Sequence, residues 1–403
     1  MELDVHTQTT RILLISFSSF QYAGGGERHA LECLPYWLRA KSTFFLVQDH
    51  GSNKPLAGPN ERVAVVRRRK YVENNSILKL LANIEVCLKL TQRVDASVAV
   101  TQYFFDVIPA YLAAVRHKCA LILYLHHLFP SPLKTKRTFL SGSFHWLSQV
   151  LVVFLAQRRA DLIFSPFSQH MSRWVPNVEI MPLLNGTLKV HHRDQGNKSK
   201  YQYSGCFIGR ISREKGIEDI LDIWSNVVKQ NHKATLAVIG IASTRSALQL
   251  RRAIACRHLQ GHIDFLGRVE ERVKYEVLRN STCFVFPSYE EGWAMVISEA
   301  LAAGTPVVAY DLPAYEPFRG AITTVPLGDT DGFTEKVLSI LQDDALRSEF
   351  AVRGLNLLER FDWKTIAKNE WLSAMRSLNE SARGKDCRSG GLMKRSLLQR
   401  LSL

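Results

Sequence analysis

The sequence predicts an α/β protein of two doubly wound domains, each built on a parallel sheet and facing the other across a cleft. Three observations point there. At 403 residues the chain exceeds what one hydrophobic core usually organises. Both halves alternate short apolar runs with amphipathic helical segments, the rhythm of buried parallel strands joined by crossover helices. Between the halves lies a polar stretch, "NGTLKVHHRDQGNKSKYQYS", which reads as a linker. With 46% hydrophobic and 22% charged residues, each half can bury a core.

In the first half, "RILLISF" reads as a strand, followed by a glycine-rich turn and the helix "ERHALECLPYWLRA". The strands "STFFLVQ", "DASVAVTQ" and "ALILYLHH" follow, with "VIPAYLAAVR" as a helix before the last. "RADLIFSPFSQHMSRWV" supplies one more strand and helix. The second half restarts with strand "GCFIG" and helix "KGIEDILDIWSNVVKQ", then strand "ATLAVIG" and helix "STRSALQLRRAIACRH". Strand "HIDFLG", helix "VKYEVLRN", strand "CFVFPS", helix "AMVISEALAAG" and strand "TPVVAY" complete the pattern, which is Rossmann-like in both halves. The expected domains are an N-terminal Rossmann-like unit over 1–184, a linker over 185–203 and a C-terminal Rossmann-like unit over 204–360. A closing helix over 361–380 has the N-terminal domain as one place to dock, and a basic tail over 381–403 reads equally as disordered or surface-binding.

Lys and Arg number 52 against 37 Asp and Glu, a net charge of +15 that favours polyanionic partners. The cations cluster at Arg67–Lys70, Lys134–Arg137, Arg158–Arg159 and in the tail, without an RNA- or DNA-binding signature, which sets nucleic acid aside. Seven dispersed cysteines with no CxxC pair argue for buried or free thiols in a reducing compartment, and against zinc or a disulfide framework. The chain reads as cytoplasmic, because "RILLISF" is too short for a signal-peptide core. A peripheral place at the inner face of the membrane is the further option. The stretch 138–157, free of formal charge but broken by Ser, Gly, His and Gln, fits either a buried core helix or one lying in a membrane interface.

Two segments carry chemistry. In "GCFIGRISREKGIEDIL" a strand ends at Ile208, Gly209 turns, and Lys215-Gly216 open a helix whose free N–H groups favour an anion. Arg210 and Lys215 would place two cations around a diphosphate, or would be solvated loop cations. In "YEEGWAMVISEALAAG" a loop follows a strand, and a helix over Trp293–Ala303 closes at Gly304. A 100° wheel gives Val296, Ala300 and Ala303 as the buried stripe, with Glu299 at its border. A carboxylate there needs hydroxyl or cation partners, and sugar or ribose hydroxyls would serve. "DTD" at Asp329–Asp331 falls before the helical "GFTEKVLSILQ" and reads as a surface turn, not a metal site.

"GRISREKG" followed by "EGWAMVISEALAAGTPVVA", with Glu291 and Glu299 spaced E-x7-E, resembles the family 4 retaining glycosyltransferases of GT-B fold. "GGGERHALECL", "HHLFP", "LLNGT" and "FDWKTIAKNEW" resemble further family motifs in the same order. The resemblance implies two Rossmann-like domains facing across a cleft, the C-terminal one holding a nucleotide-diphosphate-sugar donor. It implies that Arg210 and Lys215 bind the donor phosphates after the turn at Gly209, Glu299 the ribose and Glu291 the sugar, this register being preferred to Glu290 by the spacing. Backbone amides of Gly292, Trp293, Ala294, Met295 and Val296 would approach sugar and phosphate. Gly24, Gly25 and Gly26 would let the backbone come close to the donor, with His126 near the sugar; a histidine in that place is also a common packing residue. Ala294 stands where the family usually has a second glycine, and Val296 where proline is common.

The implied activity is hexosyl transfer from the donor to a glycan or lipid-linked acceptor with retention at the anomeric carbon, in glycan, polysaccharide or glycolipid synthesis. Neither cofactor nor metal is expected. An anionic membrane surface is a candidate partner. A non-catalytic module of this fold would be expected to lose Arg210, Lys215 or Glu291, and all three are present; an epimerase of the same fold stays open.

Overall fold

The structure is a computed structural model that describes residues 10–16, 25–38, 42–48, 63–67, 76–187 and 200–383. Gly24, the basic residues 68–70, linker residues 188–199 and tail residues from 384 onward, Cys387 among them, lie outside the described residues. The chain divides into two compact units. Unit 1 holds Met1–Leu133, Phe139–Gly186 and Trp363–Leu403, and unit 2 holds Lys134–Thr138 and Thr187–Asp362.

Unit 1 is built on a seven-stranded sheet in the order β3-β2-β1-β4-β5-β6-β7, all neighbours parallel. Its strands are β1 (Thr10–Ile15), β2 (Ser42–Gln48), β3 (Val63–Arg67), β4 (Ala96–Ala99), β5 (Ala120–Tyr124), β6 (Leu162–Ser165) and β7 (Glu179–Pro182). The central strands β4, β5 and β6 are buried along their whole length, as parallel strands covered on both faces must be. The helices are α1 (Gly25–Trp37), α2 (Ser76–Lys89), α3 (Phe104–His117), α4 (Phe139–Arg159), α5 (Ser168–Trp174) and α12 (Trp363–Arg383). Strand order runs one way from β1 to β3 and the other way from β4 to β7, so right-handed crossovers put α1 on one face and α2, α3 and α4 on the other. α12 joins α1 on its face. Val63–Arg67, not read as an element from the sequence and ending on the first residue of the Arg67–Lys70 cluster, is a strand paired in parallel with Phe44–Gln48. β7 was hidden too: as an edge strand it is half-exposed and ends in proline.

Unit 2 carries a six-stranded parallel sheet in the order β10-β9-β8-β11-β12-β13. The strands are β8 (Tyr203–Ile208), β9 (Leu236–Ile239), β10 (Ile263–Gly267), β11 (Ser281–Phe286), β12 (Val307–Tyr310) and the three-residue edge strand β13 (Thr323–Val325). Its helices are α6 (Ile217–Gln230), α7 (Thr244–Cys256), α8 (Glu271–Arg279), α9 (Met295–Ala302), α10 (Thr330–Gln342) and α11 (Asp344–Leu358). The "DTD" segment lies at the surface as expected, but the helix after it starts two residues earlier, at Thr330. Asp329 caps α10 by accepting from the Gly332 amide at 2.9 Å, and Asp331 lies in the helix's first turn.

All six cysteines among the described residues are free thiols, five of them buried. Burial pushes Cys87, Cys119 and Cys206 up to about 12, so these are inert packing groups.

Candidate functional site

In unit 2 the sheet order reverses between β8 and β11, and ligands of doubly wound folds sit beyond the carboxyl ends of strands at such a switch point. The two segments singled out in the sequence are the loops that leave these two strands. After β8, Gly209 donates its amide to the Ile239 carbonyl at 3.0 Å, and Arg210 follows with its side chain largely exposed. The helix expected from Lys215-Gly216 begins later. Arg213–Lys215 form a single 3-10 turn, Gly216 takes a left-handed φ of 71°, and α6 starts at Ile217. A Cβ on Gly216 would fall inside the Pro287 carbonyl oxygen, so this position combines a left-handed backbone with no room for a side chain.

The two loops lock together. Tyr289 donates its amide to the Glu214 carbonyl at 2.9 Å, and Ser288 donates its hydroxyl to the same oxygen at 3.3 Å. Lys215 donates to the Glu290 carbonyl at 3.2 Å and is ion-paired with the Glu291 carboxylate. Arg210 lies 3.5 Å from Glu214, whose carboxyl is also faced by Arg137 at 3.9 Å. Burial pushes the Glu214 carboxyl up, but its backbone amide, Arg137 and Arg210 outweigh that and hold it below the ordinary value. Arg137 donates its Nε to Glu290 at 2.7 Å, and Thr135 donates to the same carboxylate, so Lys134–Thr138 completes this side of the unit. Behind the loops, Tyr289 and Tyr310 both donate to Asp219, at 2.7 and 2.5 Å. Arg137, Glu214 and Asp219 were not singled out in the sequence. Apart from Arg210, four residues from Glu214, the partners named for them are 70 to 153 residues away, and no local pattern marks those contacts.

Past the glutamates, Gly292, Trp293 and Ala294 are buried. The helix expected from Trp293 starts at Met295, because Ala294 adopts a left-handed conformation with φ 53° and ψ 64°. No side chain caps α9, which leaves its first amides as donors beside Glu291 in sequence. Trp293 is a core residue, its ring 5.2 Å from Phe318 and 5.3 Å from Phe361. The buried stripe of α9 is Ile297, Ala300 and Leu301; Met295, Val296 and Ala303 are half-buried, which corrects the wheel drawn from a helix starting two residues earlier. Glu299 is itself buried and meets Lys274 of α8 at 2.9 Å, a cation partner the sequence did not disclose.

The residues assigned to the N-terminal half fall in unit 1. Its sheet order reverses between β1 and β4, and His126 and the start of α1 gather near that point. Gly25 opens α1. A Cβ on Gly26 would lie 2.8 Å from both His126 Nε2 and the Val100 carbonyl oxygen, so Gly26 is held as glycine by close packing. His126 is buried, Nε2 lies 3.0 Å from the Val100 carbonyl, and its amide donates to Gln102 at 3.1 Å. Burial, with His29 nearby, lowers its pKa to about 3. A neutral ring that donates Nε2–H to Val100 keeps Nδ1 as an acceptor.

Asn185, assigned to the linker for its polarity, is buried and bonded to His29 Nδ1 at 2.8 Å. His29 Nε2 meets Glu370 of α12 at 3.0 Å and lies 3.7 Å from Cys33 Sγ; Tyr124 donates to the same Glu370 oxygen at 3.2 Å. Ligand atoms of His29, Cys33 and Glu370 lie within 4.8 Å of one another, a set that could hold a metal. Burial works to lower the His29 pKa, but Glu370 and Cys33 raise it well above 6.5, and burial pushes the Cys33 thiol up to about 11. His29 and Glu370 form a buried hydrogen-bonded ion pair with Cys33 at its side.

A family model described as Glycosyltransferase Family 4 matches residues 23–176, and one described as Glycosyl transferases group 1 matches residues 203–343. Among curated relatives are phosphatidyl-myo-inositol mannosyltransferases of Mycobacterium leprae and Mycolicibacterium smegmatis. The first is 31% identical over 169 residues, covering 40% of this chain and 43% of the relative. The second is 35% identical over 166 residues, covering 40% and 42%. The chain thus spans less than half the length of these curated relatives. Among solved structures, sucrose-phosphate synthase from Thermosynechococcus elongatus superposes with a TM-score of 0.73 at 17% identity, over 92% of this chain and 99% of that one. Anabaena HepE in complex with UDP and glucose gives 0.67 at 18% identity, over 91% and 100%. Matched in tandem over both halves, and folded as two units on parallel sheets like these structures, the chain belongs to the family 4 glycosyltransferases of GT-B fold.

Proposed function

We propose that this protein transfers a hexosyl unit from a nucleotide-diphosphate-sugar to a glycan or lipid-linked acceptor, with retention at the anomeric carbon. One observation carries the reading: at the switch point of unit 2, Lys215 is fixed between the Glu290 carbonyl and the Glu291 carboxylate, beside the exposed Arg210 and close in sequence to an uncapped helix start. Two cations and free backbone amides there suit a diphosphate as it departs with growing negative charge. That role asks no metal of the protein, because Arg210, Lys215 and the α9 amides supply the compensation. Glu299 would share its charge between Lys274 and ribose hydroxyls, and Glu291 would accept from sugar hydroxyls while keeping Lys215 in place.

In the transfer, the bond from the anomeric carbon to the diphosphate breaks as the acceptor hydroxyl attacks from the same face. The departing phosphate oxygen takes the hydroxyl proton, so the nucleoside diphosphate leaves as the protonated product. The mannosyltransferase names of the relatives and the UDP and glucose bound by HepE support a nucleotide-sugar donor and a lipid-linked or glycan acceptor. Work at the cytoplasmic face of a membrane is consistent with such an acceptor.

The test is a screen of the purified chain against nucleotide sugars, scoring hydrolysis and thermal shift. At least one donor is expected to bind and turn over; binding by none overturns the reading. Lys215→Ala should lower kcat/KM about 100-fold or more, on the scale of losing one preorganised donor to a departing oxyanion. Unchanged turnover would remove Lys215 from the diphosphate.

A further inference from the structure

Helix α4 shows two contrasting faces. Val152, Val153 and Ala156 sit in the unit 1 core. On the other side Leu140, Phe144, Leu147, Leu151 and Phe154 are 83, 44, 58, 38 and 38% exposed. Their spacing of four, three, four and three residues aligns them on one stripe over four turns, about 20 Å long at 1.5 Å per residue. No acidic residue occurs anywhere in the helix. Single exposed leucines are ordinary, but a continuous stripe of large apolar side chains marks a surface that is covered in use. By length and composition α4 could cross a membrane. Its place excludes that: it joins β5 to the adjacent parallel strand β6 and buries its other face on their sheet.

The stripe is not confined to one helix. α2, α3 and α4 pack side by side, and on the outside α2 exposes Leu81 and Leu88, and α3 exposes Val115. All three follow a strand and precede a parallel one, so their C-termini fall along the same edge of the layer. That edge carries Lys89, Arg93, Arg116, Lys118, Arg158 and Arg159, against Asp95, 3.9 Å from Arg93, and Asp161, which pairs with Arg159 at 2.8 Å, so the cations stay in excess. Across α2, α3 and α4 the only acidic residues are Glu85, which pairs with Lys89, and the buried Asp106. Arg158 stacks its guanidinium 4.1 Å over the Phe154 ring, keeping the charge at the border of the apolar stripe. An apolar face bordered by cations is complementary to a bilayer interface with anionic headgroups. A second copy paired along the α4 stripe alone would leave the α2 and α3 residues uncovered.

We propose that the outer face of α2, α3 and α4 seats unit 1 on an anionic membrane, with α4 lying in the interface and the cationic edge at the level of the lipid phosphates. This deepens the functional reading above by naming the surface on which a lipid-linked acceptor would be met, but its test does not depend on turnover.

The full chain is sedimented with vesicles of phosphatidylcholine alone and with vesicles containing about 30% phosphatidylglycerol, at about 0.1 and about 0.5 M salt. It should sediment with the anionic vesicles, only weakly with the neutral ones, and less at the higher salt. Leu147→Glu with Leu151→Glu should lower the partition by about tenfold or more, since charge is then carried into the apolar stripe. Arg158→Glu should lower it by roughly fivefold or more on anionic vesicles. Lys215→Ala should sediment like the unaltered chain whatever happens to its turnover, which separates this proposal from the donor-site reading. Circular dichroism checks folding of the double variant, and where it fails Arg158→Glu and the salt series decide. Absence from both vesicle types, or equal partition of all variants, overturns the proposal. So does a dimer that ignores vesicles and becomes monomeric in the double variant, which would assign the face to a second copy.

Discussion

At Ala294 the backbone holds φ at 53°, where a side chain with a Cβ is crowded and glycine is not. The sequence comparison had marked this position as one where the family usually has glycine, and the conformation supplies the reason. Left-handed alanine costs about 1–2 kcal/mol, while glycine adds less than about 1 kcal/mol of unfolded-state entropy. Ala294→Gly should therefore stabilise the chain by up to about 1 kcal/mol, against the usual sign of this substitution, as read from the urea midpoint. A fall in the midpoint would mean that the backbone here is not left-handed. At this scale the two loop segments were readable, and they lock together in unit 2 through the Lys215–Glu291 pair, while Glu299 follows on α9 and meets Lys274. What could not be read was each charge's partner. Lys274 for Glu299 and Arg137 for Glu290 meet across the fold, and nothing in a linear pattern records a contact over 153 residues.

Elements with strong periodicity were legible, and those whose signal is shared with something else were not. The buried strands β5, β8, β11 and β12 stand out as apolar runs, whereas β3 runs into a cluster of arginines and lysine and β13 has only three residues. Lys215 and Gly216 read as the opening of a helix, but a 3-10 turn ends at Lys215 and left-handed Gly216 separates it from α6. That insertion sets Lys215 on the inside of the turn, toward Glu291, before α6 can begin. The element therefore depends on residue 216 having neither a Cβ nor a right-handed backbone. Gly216→Ala meets both a left-handed φ and the Pro287 carbonyl, so it should destabilise unit 2 by about 3 kcal/mol or more and weaken nucleotide binding with it. Equilibrium unfolding and nucleotide titration measure the two effects. Full stability with full binding would show that the loop can re-form without glycine.

On the scale of the whole molecule, unit 1 closes only when the chain returns to it after unit 2, as α12 packs beside α1. Trp37 donates to the Ala367 carbonyl at 3.0 Å, and the buried His29–Glu370 pair joins residues 341 apart. His29 is faced by Cys33 from its own helix, Tyr124 and His126 from the sheet side, Asn185 from the crossing segment and Glu370 from α12. Its pKa in the folded chain lies well above the unfolded value of 6.5, so protons bind more tightly to the folded state. The pair's stabilisation is then complete below about pH 6.5 and is lost as pH rises through the folded value, at up to about 1.4 kcal/mol per pH unit. Hydrogen exchange of the α1 and α12 amides between about pH 6 and about pH 8, corrected for intrinsic rates, should show protection declining with pH. This window lies below the ordinary titration of thiol and phenol, which leaves Cys33 and Tyr124 out of the slope. In His29→Gln the protection should be lower at pH 6 and nearly flat with pH, because the titrating proton is gone. Equal slopes in the two proteins would mean that His29 is already neutral in the fold, and that α12 is held by packing alone.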